Sequence, residues 1–419
     1  MFWAGCCLCV PLWAWGQVAS PLPGATTTPL PGATPPSTYR PPATAPGAAA
    51  QERVLGLVVG AYETWDSNIF RLADVNGPES ERFTTAYVGL RVDKRYKQQE
   101  FQLDVTQSAV RYNKFAYLNF DPLDYRGAWL WHLSPRVTGT LSTAQQQYLY
   151  PFEETANIVT QRNIVTRNSS LFTTDGWLFG GWHLLAGALY NKVDNSVPVP
   201  ATPNYRESGG EGGVKYVALS NSFVAANFRF LRGEYDRPLD SIAVFDDGYR
   251  RSESEVSAEW VLSAKSTFRG SMGWFDYRAD HFSQRDFSGP VGRLVYAWSP
   301  TTRLRFDLSA IRDLQTYWDN LSSYRVVDVL AIAPAWNVSP RTVLRGELAY
   351  EADDYRNPVI PYPGPLRQDT ARRVRVGADW VPWRSVTLGA NVVWERRSSN
   401  FAVFEYDDTR ATLNASLTF

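Results

Sequence analysis

The chain contains few of the residues that build disulfide, thiolate or histidine chemistry. Its three cysteines, Cys6, Cys7 and Cys9, all lie within the first nine residues, so the rest of the sequence offers no disulfide framework and no thiolate metal site. Histidine occurs only at positions 132, 183 and 281, without metal-ligand spacing. Basic and acidic side chains balance at 42 each, which gives no electrostatic reason to expect nucleic acid as a partner. We therefore expect no metal and no cofactor.

Long apolar runs are also missing. No stretch approaches the roughly 18 consecutive apolar residues that a membrane-spanning helix needs. Residues 1–19, MFWAGCCLCVPLWAWGQVA, are apolar but too short, and we interpret them as an export signal. Residues 20–52 are rich in Pro, Thr and Ala and repeat PLPGAT, which is typical of a disordered tether. The folded domain is expected over 53–419.

What the sequence does contain is a repeat of short junctions between runs of alternating apolar and polar residues, with a period of roughly forty residues. The junctions are YKQQ (96–99), LSPR (133–136), FGGW (179–182), LSNS (219–222), LSAKS (262–266), WSPTT (298–302), NVSPR (337–341) and VPWRS (381–385). Eight tight turns join sixteen strands, and strands near 54–66 and 403–419 complete a set of about eighteen. The connections between successive hairpins are longer and polar.

This pattern predicts an all-β fold, a transmembrane antiparallel β-barrel of the bacterial outer membrane, with short periplasmic turns and longer extracellular loops. A propeller also repeats at this spacing, but its blades hold four short strands each, whereas these runs are longer and fewer. A soluble sandwich would not need the abundance of Trp, Tyr and Phe that suits a membrane interface.

The alternation also predicts which face of each strand meets lipid. In RVRVGADW (373–380), apolar residues take one face, while Arg373, Arg375 and Asp379 take the other. An Arg or Lys facing lipid at the bilayer midplane costs about 2–4 kcal/mol, so the charged face must line the lumen. The same reasoning predicts a set of lumen-lining cations: Arg91, Lys215, Arg229, Arg269, Arg293, Arg303, Arg305, Arg345, Arg373, Arg375 and Arg410.

Two interpretations of these cations stay open. They pair with carboxylates on neighbouring strands, which is the simpler account, or their surplus draws an anionic solute through the pore.

Outside the barrel, tryptophans recur beside the tight turns and predict a periplasmic aromatic girdle. They are Trp131, Trp182, Trp260, Trp298, Trp336 and Trp380.

The final strand, TLNASLTF (412–419), alternates without a slip. Leu413, Ala415, Leu417 and Phe419 share the apolar face, which lipid is expected to cover. The strand resembles the carboxy-terminal signal of outer-membrane proteins, and that resemblance implies recognition by the barrel-assembly machinery. We also expect it to pair with the first strand, because only closure removes both sheet edges.

The segment DSNIFR (66–71) and the later hairpin strand GWHLLAGALYNK (181–192) carry a resemblance to a family. The chain resembles the EpsL-like outer-membrane barrels that accompany exopolysaccharide biosynthesis and exosortase loci. That resemblance implies a non-catalytic role in exopolysaccharide biosynthesis or export, with an anionic polysaccharide and periplasmic export proteins as partners.

Other functions remain as alternatives. The first alternative is a general or anion-biased diffusion porin for small solutes. The second is a surface barrel that binds a partner through its extracellular loops. Enzymatic activity is not expected, because nucleophile elbows and phosphate loops are absent from the sequence. The acidic clusters FDDG (245–248), EADD (351–354) and EYDD (405–408) are ordinary turn chemistry, with calcium binding as a weaker alternative.

Overall fold

Most of the chain is described by the computed structural model, which covers residues 54–152, 160–197, 203–236, 246–317 and 321–419. The predicted export signal at 1–19 and the tether at 20–52 lie outside these residues. The helices in the described part of the chain are short, and none has the length and apolarity to cross a membrane.

Eighteen strands make up most of the described chain. The first nine are β1 (Leu55–Asp66), β2 (Glu81–Tyr96), β3 (Gln99–Tyr112), β4 (Leu123–Ser134), β5 (Val137–Leu149), β6 (Ile164–Phe179), β7 (Trp182–Asn195), β8 (Tyr205–Val217) and β9 (Phe223–Tyr235). The others are β10 (Gly248–Ser263), β11 (Ser266–Ala279), β12 (Phe287–Trp298), β13 (Leu304–Thr316), β14 (Tyr324–Ser339), β15 (Thr342–Arg356), β16 (Gln368–Trp383), β17 (Val386–Ser399) and β18 (Tyr406–Thr418). All eight predicted tight turns are confirmed between successive strands.

The sheet closes on itself. Each strand pairs antiparallel with its neighbours in sequence, and β1 pairs with both β2 and β18. At the closing seam Ala61 lies opposite Ala415, and Leu57 and Phe419 exchange two main-chain hydrogen bonds of 3.3 and 2.8 Å. The predicted pairing of first and last strands is therefore confirmed, and the sheet has no free edge along the seam.

The outer face of the barrel is apolar, as the alternation predicted. In β18, Leu413 and Leu417 are exposed, whereas Asn414 and Ser416 point inward and are buried. A closed barrel that exposes rows of leucine, valine and tryptophan requires a lipid environment, because contact between so much apolar surface and water is energetically unfavourable. The protein is thus an outer-membrane β-barrel.

Five of the six predicted girdle tryptophans are exposed on this face, between 41% for Trp298 and 61% for Trp260. The exception is Trp131, which is only 6% exposed. Its ring lies flat beside that of Phe172, with centroids 5.8 Å apart and an interplanar angle of 12°. For Trp131 the girdle prediction is wrong, because a neighbouring aromatic ring covers it.

The apolar band ends before the strands do. In β16 the outward series runs from Trp380 through Val376 and Val374 to the exposed Arg372. In β10 it passes from Val256 to Arg250. The extracellular ends of the strands therefore project beyond the hydrocarbon layer, where charged side chains are tolerated.

We predict that Val256→Arg lowers the free energy of unfolding by about 2–4 kcal/mol, because the guanidinium would face the hydrocarbon. The matched control is Ser252→Arg, four residues nearer the extracellular end on the same face of the same strand, opposite Asp276. There the cost is about 0–1 kcal/mol. Urea unfolding in phospholipid vesicles measures both values, and equal costs would show that Val256 does not face lipid.

Candidate functional site: the barrel lumen

The predicted lumen cations can be placed residue by residue. Ten lie in strands, at positions whose alternation directs the side chain inward. Arg303 does not, because β13 begins at Leu304. It lies in the preceding turn, exposed, where its carbonyl accepts a hydrogen bond from the Asn337 N–H. Arg303 therefore lies at the periplasmic mouth of the barrel, one residue before the strand, and its place in the lumen stays a prediction.

Most of the inward cations lie against carboxylates. Close pairs join Arg91 to Asp104 (2.6 Å), Arg229 to Glu211 (2.6 Å), Arg269 to Glu259 (2.7 Å), Arg305 to Asp307 (2.8 Å), Arg345 to Asp379 (2.5 Å), Arg373 to Glu395 (2.7 Å), Arg375 to Glu347 (3.2 Å), Arg410 to Asp408 (2.9 Å) and Lys215 to Asp175. The wall is thus largely neutralised by its own acids, as the simpler interpretation expected. A surplus of free bases does not follow from the number of arginines.

The extracellular end of the lumen contains the connection between β1 and β2, residues 67–80, termed the seam loop. Asn68 is 1% exposed and Phe70 is 5% exposed, so this loop is folded in rather than extended into solvent. Asn68 Nδ2 donates to the carbonyl of Asp407 on β18 (3.1 Å), and the Thr409 N–H donates to Ser67 Oγ (2.7 Å). The DSNIFR segment is therefore a structural unit that ties the loop to the seam.

A buried arginine holds the seam loop in place. Arg71 Nη2 lies 3.0 Å from Asp66 and 3.2 Å from Asp408, and all three side chains are buried. Arg71 has φ +56°, in the left-handed region that non-glycine residues rarely adopt. The ion pairs offset this backbone cost, and removing the guanidinium would leave the buried Asp66 without its ion-pair partner and Asp408 with Arg410 alone.

An apolar cluster fills the space beneath the seam loop and is termed the plug cluster. It comprises Ile69, Phe70, Phe83, Val110, Tyr112, Leu118, Phe120, Leu149 and Phe152. Phe83, Val110 and Tyr112 come from the inner faces of β2 and β3, and Leu118 comes from the β3–β4 loop. An apolar core of this kind inside a barrel excludes water from that part of the lumen.

The opposite side of the mouth is narrowed by the upper ends of β13 and β14, termed the inner hairpin. Pairing between β12 and β13 ends at Gly292 and Arg312, but β13 and β14 stay paired to Thr316 and Tyr324. The Tyr324 ring then stacks on inward-facing Phe287 of β12, with centroids 4.4 Å apart. The inner hairpin therefore lies inside the wall formed by β11 and β12.

Two sets of ion pairs, together termed the ionic ladder, hold the inner hairpin (Arg325 through Arg367) and the seam loop (Arg373 through Asp66). Its members are Arg325, Asp353, Arg397, Asp369, Arg367, Arg373, Glu395, Arg410, Asp408, Arg71 and Asp66. Arg397 bridges Asp353 (3.0 Å) and Asp369 (3.1 Å), and Arg410 bridges Glu395 (3.4 Å) and Asp408 (2.9 Å). Most of these partners are far apart in sequence, so sequence patterns could not identify them.

A cavity of about 330 Å³, termed the lumen cavity, lies against the inner wall of β1 to β8. Its lining combines tyrosine rings, amides and charged groups, among them Tyr62, Tyr87, Tyr205, Gln146, Asn191, Arg91, Asp104, Asp124, Arg126, Arg167, Glu207 and Arg251. Aromatic faces beside many hydrogen-bonding groups suit a small polar solute. The volume lies at the lower end of the usual range for small-molecule sites.

Arg167 of β6 is the distinctive group in this lining. Its neighbours Arg91 and Arg251 are paired with Asp104 and Glu207 at 2.6 and 3.4 Å. Across the described part of the chain, Arg167 forms neither a hydrogen bond nor an ion pair. Its guanidinium is therefore available to an anionic group in the cavity. The sequence prediction missed Arg167, although its inward phase was readable from the alternation.

A second cavity of about 340 Å³ lies nearer the periplasmic end. Threonine side chains dominate part of its wall, and Lys215 and Asp175 also contribute. Asp175 accepts from His183 Nδ1 at 2.6 Å and from Lys215 Nζ, so its charge is already shared between two cations or donors. Lys215 and Asp175 pair with each other, so this wall offers hydroxyl groups and a balanced ion pair, unlike Arg167, which is unpaired within the described residues.

At the extracellular rim, His281 links two loops. The imidazole lies 3.1 Å from Asp246 and 2.9 Å from Asp247. Burial alone would raise the pKa of Asp246, but main-chain hydrogen bonds from Phe282 and His281 outweigh it and hold that pKa below its ordinary value. The hydrogen bond to Asp246 and the charge of Asp247 raise the pKa of His281. The contact needs no metal ion to account for it.

Comparison with known proteins gives only distant likenesses. No family model matches the chain, and no curated protein matches it in sequence. The outer membrane protein OpdK of Pseudomonas aeruginosa is 11% identical, with a TM-score of 0.48 over 87% of this chain and 99% of that one. OccAB3 of Acinetobacter baumannii is 10% identical, with a TM-score of 0.49 over 87% and 98% of the two chains. Identities this low say nothing about the solute or the partner of this barrel.

We predict that Arg71→Met releases the seam loop and raises single-channel conductance in planar bilayers several-fold. Removing one partner of a buried ion pair costs about 3–5 kcal/mol, enough to displace a loop while the paired strands hold the barrel. Arg82→Met is the control, because its ion pair with Glu63 lies on the outer surface. Conductance that is unchanged in Arg71→Met would show that the seam loop does not obstruct the pore.

We also predict that His281 titrates above the ordinary value of about 6.5 and that Asp247→Asn moves its pKa back toward that value. Because the folded pKa is raised, the loop contact is fully present below pH ~6.5 and is lost as pH rises through the folded pKa. Ring-proton NMR measures the titration, with His281→Gln to assign the signal and Asp194→Asn as a distant control. An unchanged titration in Asp247→Asn would contradict the contact.

Proposed function

We propose that the barrel is a diffusion channel for small polar solutes, biased toward solutes that carry a carboxylate. The observation that carries this proposal is the lumen cavity, where Arg167 is the inward arginine without an ion pair to the described chain. A carboxylate entering the cavity would supply the counter-charge that the barrel does not. Passage of this kind requires no catalytic step.

The size of the passage supports small solutes over an extended polymer. The plug cluster and the inner hairpin occupy the extracellular part of the lumen from two sides. The lumen cavity, at about 330 Å³, is in the range of small-molecule sites. A polymer in transit would need both obstructions to move, whereas a small solute needs only a gap between them.

Because most of the other lumen cations are paired with carboxylates, we expect anionic solutes to be attracted to Arg167 and not to the whole wall of the pore. Surface ion pairs in water leave little net field beyond their immediate neighbourhood. Arg91 with Asp104 and Arg269 with Glu259 are pairs of this kind. Selectivity for anions is therefore assigned to one position in the cavity and not to the whole pore.

The test compares glucuronate with glucose in swelling assays of liposomes containing the full barrel. Wild type should admit glucuronate faster, and Arg167→Gln should reduce that preference about tenfold, since a charge-assisted hydrogen bond contributes about 1.5 kcal/mol or more. Arg162→Gln, in the exposed loop before β6, is the matched control and should keep the preference. A preference that survives Arg167→Gln would contradict the proposal.

A role in exopolysaccharide export is the second candidate. It is favoured by the DSNIFR segment, which carries the resemblance to EpsL-like barrels and forms a buried unit at the seam. Deleting the gene and measuring secreted polymer tests this role, with complementation by wild type and by Arg71→Met. Unchanged polymer together with slower uptake of a small solute would rule out export and leave the channel.

A further inference from the structure

Two arginines face each other on the outside of the barrel. Arg372 of β16 and Arg396 of β17 are directly opposite in the antiparallel register. Both belong to the outward phase of their strands, since Val374 and Trp394, the next pair in that phase, are also opposite and Trp394 is 39% exposed. The guanidinium groups therefore project away from the lumen, at neighbouring points of the outer surface.

The position of this pair coincides with the upper edge of the apolar band. Val376, Val374 and Trp394 lie on its membrane side, and Tyr350 is opposite Arg372 on the other neighbouring strand. Aromatic side chains of this kind mark the level of the lipid headgroups. Because the loops of this rim are extracellular, the headgroups that it meets are those of the outer leaflet.

The protein itself leaves this positive charge incompletely balanced. Like charges directly opposite on adjacent strands destabilise a sheet. Arg372 has no hydrogen bond or ion pair to any described residue. Arg396 has one carboxylate nearby, that of Asp407 at 3.7 Å, and its side chain is still 58% exposed. Two adjacent guanidinium groups share one exposed carboxylate, so the pair keeps a net positive charge that can bind an external anion.

We propose that Arg372 and Arg396 bind a phosphate group of the phosphorylated glycolipid of the outer leaflet, lipid A. Guanidinium groups donate paired hydrogen bonds to phosphate oxygens, and two of them can share one phosphate. The acyl chains of the same lipid would lie along Val374, Val376 and Trp394, which face the membrane directly below. A free phosphate ion would use only the arginines, but a glycolipid would use both surfaces.

A second set of opposed arginines shows what distinguishes this site. Arg232, Arg250 and Arg278 are in register across β9, β10 and β11 on the outer face. Here carboxylates are close: Asp280 lies 3.6 Å from Arg232 and 3.5 Å from Arg250, and Asp276 lies 2.8 Å from Arg278. This row has the same geometry but its own counter-charges, so it serves as a matched control.

The binding test uses the full barrel in detergent and native mass spectrometry with bisphosphorylated and dephosphorylated lipid A. Wild type should bind the phosphorylated form about tenfold more tightly, the effect of one good charge-assisted contact. The double variant R372Q/R396Q should lose this preference, and R232Q/R250Q should keep it. A preference retained by R372Q/R396Q, or absent from wild type, would overturn the proposal. Inorganic phosphate that displaces lipid A completely at millimolar concentration would assign the site to free phosphate and overturn the glycolipid.

A second measurement separates lipid binding from a structural role. Without lipid A, R372Q/R396Q should melt at the same temperature as wild type or higher, because the opposed charges are gone. With lipid A present, wild type should be stabilised more than the variant. A variant that melts lower in both conditions would show that the arginines stabilise the barrel itself, which would overturn the proposal.

Discussion

A charged side chain at membrane depth in this barrel has to face inward, and an arginine buried among the inward-folded loops has to meet a carboxylate. Lipid excludes charge from the outer face, while burial at the extracellular end of the lumen removes water from guanidinium groups such as those of Arg71 and Arg397. The ionic ladder satisfies both constraints, with Arg397 and Arg410 each placed between two acids. The inner hairpin and the seam loop are both anchored to it.

This arrangement determines what the lumen can select. Charges used to hold loops in place are not available to a solute, since separating them would leave buried ions without partners. Arg373, which the alternation predicted to line a path, is paired with Glu395 and belongs to the ladder. Arg167, in a cavity away from the ladder, is the position where a carboxylate would replace missing protein charge. Structural and selective charges thus occupy different parts of the wall.

Periodicity was sufficient to predict the strands and their faces, because period-two alternation has a direct geometric meaning. It correctly directed Arg345 and Arg375 inward and Leu413 outward. It could not predict that Arg71 would meet Asp408, because the two are joined only by closure of the barrel and the folding of a loop. Nor could it place Arg303 outside β13 or Trp131 beneath Phe172, because these depend on a turn and on a neighbouring ring.

The same constraint, applied to the outside of the barrel, explains why charge reappears at the extracellular rim. Below Arg372 the outward residues of β16 are Val374, Val376 and Ala378, where a guanidinium would meet hydrocarbon. At the rim the surroundings change from acyl chains to headgroups, and a positive charge can be balanced by the membrane itself. For the buried arginines of the ionic ladder the protein must supply each counter-charge. At the rim it can leave one to the lipid, which is why an arginine without a protein partner is compatible with the outer edge of the band.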